Sequence, residues 1–166
     1  MFDILFVFAQ PQRFFQDLRT RGSLPVSRAI LLGLFCGWIG GILAWQFFQL
    51  AALAGLQDYA LSGYAMYLAY LWFQVVAVPL GFLLHSLIAW ILLRLFREGG
   101  AEFREAVVLV GFARVASLWR VIPFLGMPLA MIHYATLLYL GARETHGLRA
   151  STALILALVI AILAVD

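Results

Sequence analysis

The chain has 166 residues, 65% of them apolar and 11% charged, with a mean hydropathy of +1.01. A soluble domain carries about 25% charged residues, so this composition excludes an ordinary soluble enzyme, a disordered chain and a disulfide scaffold. It fits an all-α polytopic membrane protein. Eleven Arg and no Lys stand against eight acids, for a net charge of +3, and Cys36 is the one cysteine. No intramolecular disulfide and no paired-cysteine metal site can form.

Met1 to Ala9 is apolar, carries Asp3 in place of basic residues, and lacks a small-x-small cleavage site. It is a poor signal peptide and too short to span, so it is expected to remain on the mature protein and lie along the membrane. Pro11 to Arg21 reads as a short helix started by proline. Phe14 and Leu18 share a face, joined by Phe15, while Arg13, Asp17, Arg19 and Arg21 cover the rest. The pattern predicts an in-plane amphipathic helix, an interfacial anchor with cations available to anionic lipid. Residues 1–24 thus form an interfacial arm ahead of a membrane domain, residues 25–166.

The first span is predicted at about residues 28–54. Gly33, Gly37 and Gly41 recur at four-residue spacing and are extended backwards by Ala29, so a neighbouring helix can approach closely. Packing against another span of the chain is expected; a homo-oligomer contact is the alternative. Tyr59 to Phe96 is a stretch of 38 residues with Arg94 its single charge. As one helix it would run ~57 Å, at 1.5 Å per residue, against a hydrocarbon core of ~30 Å. Its tyrosines, Tyr59, Tyr64, Tyr67 and Tyr70, suit the headgroup region, so a single span kinked at Pro79 is predicted at about residues 69–93.

Between Phe103 and Gly141 the midpoint carries Arg120, Pro123, Gly126 and Pro128. Proline removes a backbone donor and disfavours helix at the residue before it, which predicts a hairpin of two spans, residues 104–122 and 124–141. The fifth span is predicted at residues 148–165. With the N-terminus in the cytoplasm and the C-terminus outside, nine of the eleven Arg fall at cytoplasmic positions and only Arg120 falls outside, a strong positive-inside asymmetry.

Arg114 is the charge that topology leaves over. With His85 and His133 it is expected ~12–15 Å from the cytoplasmic ends of the second, third and fourth spans, a common level. No Asp or Glu lies between Asp58 and Glu98 or between Glu105 and Glu144. A charge at that depth costs at least ~2.5–3.5 kcal/mol and normally faces the interior or a wet cavity. One reading is a basic pocket for an anion, most naturally a lipid phosphate. The other has Arg114 and the histidines bonding carbonyls freed by broken helices near Pro79 and Pro123.

Enzyme chemistry finds little support. There is no HExxH, no GxSxG, no paired intramembrane Asp and no glycine-rich phosphate loop. Ser86 beside His85 and Ser117 after Arg114 do not make a nucleophile and base, and three His without carboxylates make a poor metal site. No catalytic residue, cofactor or metal is expected. Gln46, Gln49 and Gln74 could line a polar path or simply bridge helices. The Arg are spread along the membrane rim, unlike a nucleic-acid surface.

Pro11-Gln-Arg-Phe-Phe15, Gly100-Ala-Glu-Phe-Arg104, Gly111-Phe-Ala-Arg114, Pro123 with Gly126, and His146-Gly-Leu-Arg149-Ala150 together resemble the Yip family of Ypt/Rab-interacting membrane proteins in its short prokaryotic form. The resemblance implies five helical spans with a cytoplasmic N-terminus. Eukaryotic members are linked to Rab GTPases and vesicle traffic through a long cytoplasmic region, where this chain has about 24 residues. The short form and the all-Arg usage imply a bacterial inner-membrane protein. The expected function is non-enzymatic: organising the membrane, or contacting lipids and membrane-protein partners. The alternative is a small transporter or lipid-handling protein with an anion pocket at Arg114, His85 and His133.

Overall fold

The computed structural model describes residues 2–21, 24–53, 64–97, 99–122 and 124–163. These form seven α-helices and one 3₁₀ helix, with no strand among the described residues. In chain order they are α1 (Phe2–Ala9), α2 (Pro11–Thr20), α3 (Val26–Leu53), α4 (Tyr64–Phe96), α5 (Phe103–Ala113), the 3₁₀ helix Arg114–Val121, α6 (Gly126–Glu144) and α7 (Ala150–Leu163). Two of them, α3 and α4, are long and apolar enough to cross a membrane. The outward face of α4 carries Trp72, Val76, Leu80, Leu83, Leu87 and Leu95, all exposed. Trp72 to Leu95 spans ~35 Å of helix. An exposed apolar stripe of that length is one that lipid or a partner would cover.

Proline at the first helical position starts α2, where a missing N–H costs nothing. Its apolar face is buried in the protein. Phe14 meets Phe112 edge to face at 4.7 Å, and Phe15, 1% exposed, packs over Gly141, where an added Cβ would lie 3.0 Å from the Phe15 ring. Gln12 and Gln16 donate to the Glu144 carboxylate at 3.3 and 3.0 Å. This corrects the interfacial anchor expected of Phe14, Phe15 and Leu18. These side chains cover α5 and α6, because a protein groove removes them from water as fully as lipid does. Arg13, Arg19 and Arg21 stay exposed and remain available to headgroups.

The glycine face of α3 is filled from within the chain. A Cβ on Gly33 would lie 3.0 Å from the Gly111 Cα, one on Gly37 would meet Val78 and Arg114, and one on Gly41 would lie 2.6 Å from the Gln74 amide oxygen. This is the intrachain packing expected, and it leaves no room there for a second copy. Helix α4 runs unbroken through Tyr64–Tyr70, so this part of the tyrosine-rich lead-in is helical, and the apolar stretch long enough to cross begins at Leu68. Tyr70 donates to the Gly41 carbonyl at 2.8 Å and its ring stacks on Trp45, which ties that turn to α3. The rest of the lead-in, residues 59–63, lies outside the described residues.

Residues 104–122 do not form one α-helix. At Arg114 the backbone tightens into 3₁₀ geometry. The Ser117 hydroxyl lies 2.7 Å from the Arg114 carbonyl and 2.6 Å from the Cys36 carbonyl on α3, a side-chain competitor for the helical ladder. Pro123, expected at the hairpin break, lies outside the described residues. Ile122 before it is extended and Phe124 after it has a positive φ of 60°. Gly126 opens α6 against the backbone of Trp119 and Arg120, where a Cβ has no room. Pro128 does not break anything; it sits in the first turn of α6, where its N–H would be unpaired in any case. At the other end α6 closes with the Gly147 N–H on the Arg143 carbonyl and the Leu148 N–H on the Ala142 carbonyl, a Schellman arrangement that uses the positive φ of Gly147.

That closing turn buries His146. Burial pushes its pKa from 6.5 down to about 4; nearby Glu105 opposes the shift and Arg97 adds to it. Between those two values the unfolded chain holds a proton that the folded chain refuses, so stability rises with pH across this window. Linkage sets the cost of acidification from pH 7 to 4.5 on the order of 3 kcal/mol. The apparent melting temperature in detergent should therefore fall over that range, and fall less in a His146→Asn protein. Equal falls in both would contradict the assignment.

Candidate functional site

A cavity of about 360 Å³ lies between α4 and α6. Helix α4 contributes Gln74, Val78 and His85, and α6 contributes Met127, Met131 and Tyr134. The 3₁₀ helix backs the cavity with Arg114, Ser117 and Arg120, while Gly37 of α3 and Ala161 of α7 complete it.

Arg114 is only 9% exposed. Its Nη1 donates to the Val78 carbonyl at 3.2 Å, and its Nη2 lies 3.3 Å from His85 Nδ1. The guanidinium also stands 5.6 Å from the centre of the Phe82 ring. Gly37 makes this placement feasible, since a Cβ there would lie 3.1 Å from Arg114 Nη1. A guanidinium can only donate, so His85 accepts at Nδ1 and carries its proton on Nε2. His85 is 3% exposed, and Ser86 beside it spends its hydroxyl on the Phe82 carbonyl of its own helix.

His133 does not join them. Its Nδ1 accepts from Trp119 Nε1 at 2.8 Å, and its ring meets Phe8 of α1 edge to face at 4.7 Å. The expected three-residue level is thus corrected to a pair, Arg114 with His85. Neighbouring Tyr134 faces the cavity instead, its ring centre 6.4 Å from that of His85. One residue step turns a helix by ~100°, so equal depth does not imply a shared direction. Of the expected glutamines, Gln74 lines the cavity and Gln46 is exposed; the side chain of Gln49 lies outside the described residues.

The sequence counts Arg120 as an outside charge, at the hairpin end of the third segment. It lines the cavity, with its Nε buried and without a hydrogen-bond partner among the described residues. The signal for it was the spacing Arg114–Ser117–Arg120, which has meaning only at three residues per turn. The cavity therefore joins two guanidiniums to neutral imidazole, phenol and amide groups within apolar walls. Among the described residues, no Asp or Glu lines it, and no cluster of His, Cys, Asp and Glu could hold a metal ion. Such a donor set suits an anion.

A second hollow, of about 310 Å³, lies where α2 meets the start of α3, with Arg21 and Arg28 beside Phe14, Leu18 and Phe112. Comparison with family models, with curated proteins and with solved structures finds no match in any of the three.

Proposed function

We propose that this chain is a non-enzymatic integral membrane protein that binds the anionic head of an amphiphile in the Arg114–His85 cleft. In this reading five helical segments cross a bacterial inner membrane from a cytoplasmic N-terminus, and the bound lipid is how a Yip-type protein would organise its surroundings. Helices α3 and α4 are long and apolar enough to cross, the described part of α7 is ~21 Å long, and the broken third segment has the length to span. Eleven residues at 1.5 Å and eight at 2.0 Å make α5 plus the 3₁₀ helix ~33 Å long, against a hydrocarbon core of ~30 Å. The distribution of Arg supports the orientation.

The observation that carries the proposal is a mostly apolar cavity holding two arginines and no lining carboxylate among the described residues. Binding is favoured over transport because α3 and α5 close tightly beyond Arg114. There Gly33 meets Gly111, and a Cβ on Gly111 would lie 2.9 Å from that of Ala29. The test is equilibrium binding of dodecyl phosphate to delipidated protein. Arg114→Met should weaken it at least about tenfold, the cost of one charge-assisted hydrogen bond. Unchanged affinity in a folded variant would contradict the proposal.

A further inference from the structure

We infer that Arg120 is a direct ligand contact, its guanidinium fork gripping the oxygens of the anionic head while the tail leaves sideways between α4 and α6; this rests on the amphiphile reading above. Two features of Arg120 converge on that role. Its backbone is fixed by α6: Gly126 lies so close that an added Cβ would come 2.9 Å from the Arg120 Cα. Its side chain lines the cavity, yet the buried Nε has no hydrogen-bond partner among the described residues. Arg120 makes no ion pair among them either. Buried polar atoms are almost always paired, and an unmade bond on a permanent cation is costly. The position is held by backbone packing, and the donor group is left for an acceptor from outside the chain.

The fork sets the ligand class. Nε–H and one Nη–H of a guanidinium point the same way and take two oxygens of one head together, so the head carries at least two oxygens on one atom, as a phosphate does. Tyr70, one turn before Gln74 on α4, lies within electrostatic range of Arg120, which puts Gln74 and Arg120 at one end of the cleft. The Trp38 indole holds the Gln74 backbone carbonyl at 3.1 Å, and the side-chain amide can donate to the head without adding charge. The tail has a way out. Helix α6 packs mainly on α7 and the 3₁₀ helix, and α4 on α3, α5 and α7, so the wall between α4 and α6 is thin. Phe73 and Met127, both cavity-lining and both exposed, rim it with apolar surface for the first methylenes.

Two measurements on delipidated protein in neutral detergent test it. The first is affinity for dodecyl phosphate, dodecanol and inorganic phosphate. Arg120→Gln should weaken dodecyl phosphate at least about tenfold and leave dodecanol unchanged. Arg94→Gln, which removes an exposed cation beside Trp90, should bind as wild type does. Equal losses in the two variants, or no loss in Arg120→Gln, overturn the inference and leave the cleft reading standing. No binding by wild type overturns both. Inorganic phosphate binding as tightly as dodecyl phosphate, with the same loss in Arg120→Gln, supports the grip at Arg120, overturns the part given to the tail and makes free phosphate the ligand. The second measurement needs no variant. Phenylglyoxal, which adds to arginine side chains, should modify Arg120 in ligand-free wild type and be held off by dodecyl phosphate, while Arg94 reacts in both. Arg120 modified alike with and without dodecyl phosphate overturns the inference.

Discussion

Ligand-free Arg114→Met protein is expected to melt at the wild-type temperature or above it, even as it loses affinity for dodecyl phosphate. Burying a guanidinium costs several kcal/mol after relaxation, and only short, well-aligned partners repay that. Two of its contacts, to Val78 and His85, are long, 3.2 and 3.3 Å, and the Phe82 ring is at the outer edge of cation–π range at 5.6 Å. Methionine fills the same space without a charge, and apolar replacement of buried ionic groups is commonly neutral or stabilising by about 1–4 kcal/mol. The Val78 carbonyl keeps its place in α4. A fall of about 3 kcal/mol or more would instead mark Arg114 as a structural strut whose removal strands its partners. Stability and binding moving in opposite directions is the signature of a group kept for its ligand.

Gly111→Leu should be the most destabilising single substitution considered. Gly111 lies against the backbone of Ala29, where an added Cβ would come 2.7 Å from a carbonyl carbon. Backbone cannot step aside as a flexible side chain can, so α3 and α5 must separate. Overpacking usually costs about 1–3 kcal/mol, and more where nothing yields; a loss of at least 3 is expected here. For a chain of this size each kcal/mol moves the melting temperature by about 2–4 °C, giving a drop of roughly 6–12 °C. Separation would also move Gly37 away from Arg114, weakening the binding of anionic amphiphile. Ser151→Leu, on the exposed side of α7, should stay within about 0.5 kcal/mol of wild type. Equal melting of the Gly111 and Ser151 variants would contradict this account of the seam.

What could be read from the residues was length and spacing. The apolar runs of α3 and α4, the proline start of α2 and the close-packing face at Gly33, Gly37 and Gly41 all follow from one-dimensional patterns. What escaped was direction. Phe14, Phe15 and Leu18 form a face whatever they meet, and no periodicity says whether lipid or Gly141 lies opposite. His133 was expected at the cavity and Tyr134 took that place, because rotation about the axis is fixed by neighbours that the local sequence does not name. Arg120 escaped for a different reason. Arg114-Val-Ala-Ser-Leu-Trp-Arg-Val121 shows no glycine or proline to announce a change of helix type. The tightening tracks a hydroxyl at Ser117 held by the Cys36 carbonyl of another helix, a tertiary cause.

The central claim, that an anionic amphiphile lodges between α4 and α6, is tested most directly by photolabelling. A dodecyl phosphate bearing a diazirine near its head should leave its adducts on Met127, Met131 and Phe73 when irradiated with the purified protein. Excess dodecyl phosphate should abolish them. Adducts spread over the exposed apolar faces of α4 and α7, at Leu83, Leu154 or Leu158, and indifferent to competitor, would contradict the claim.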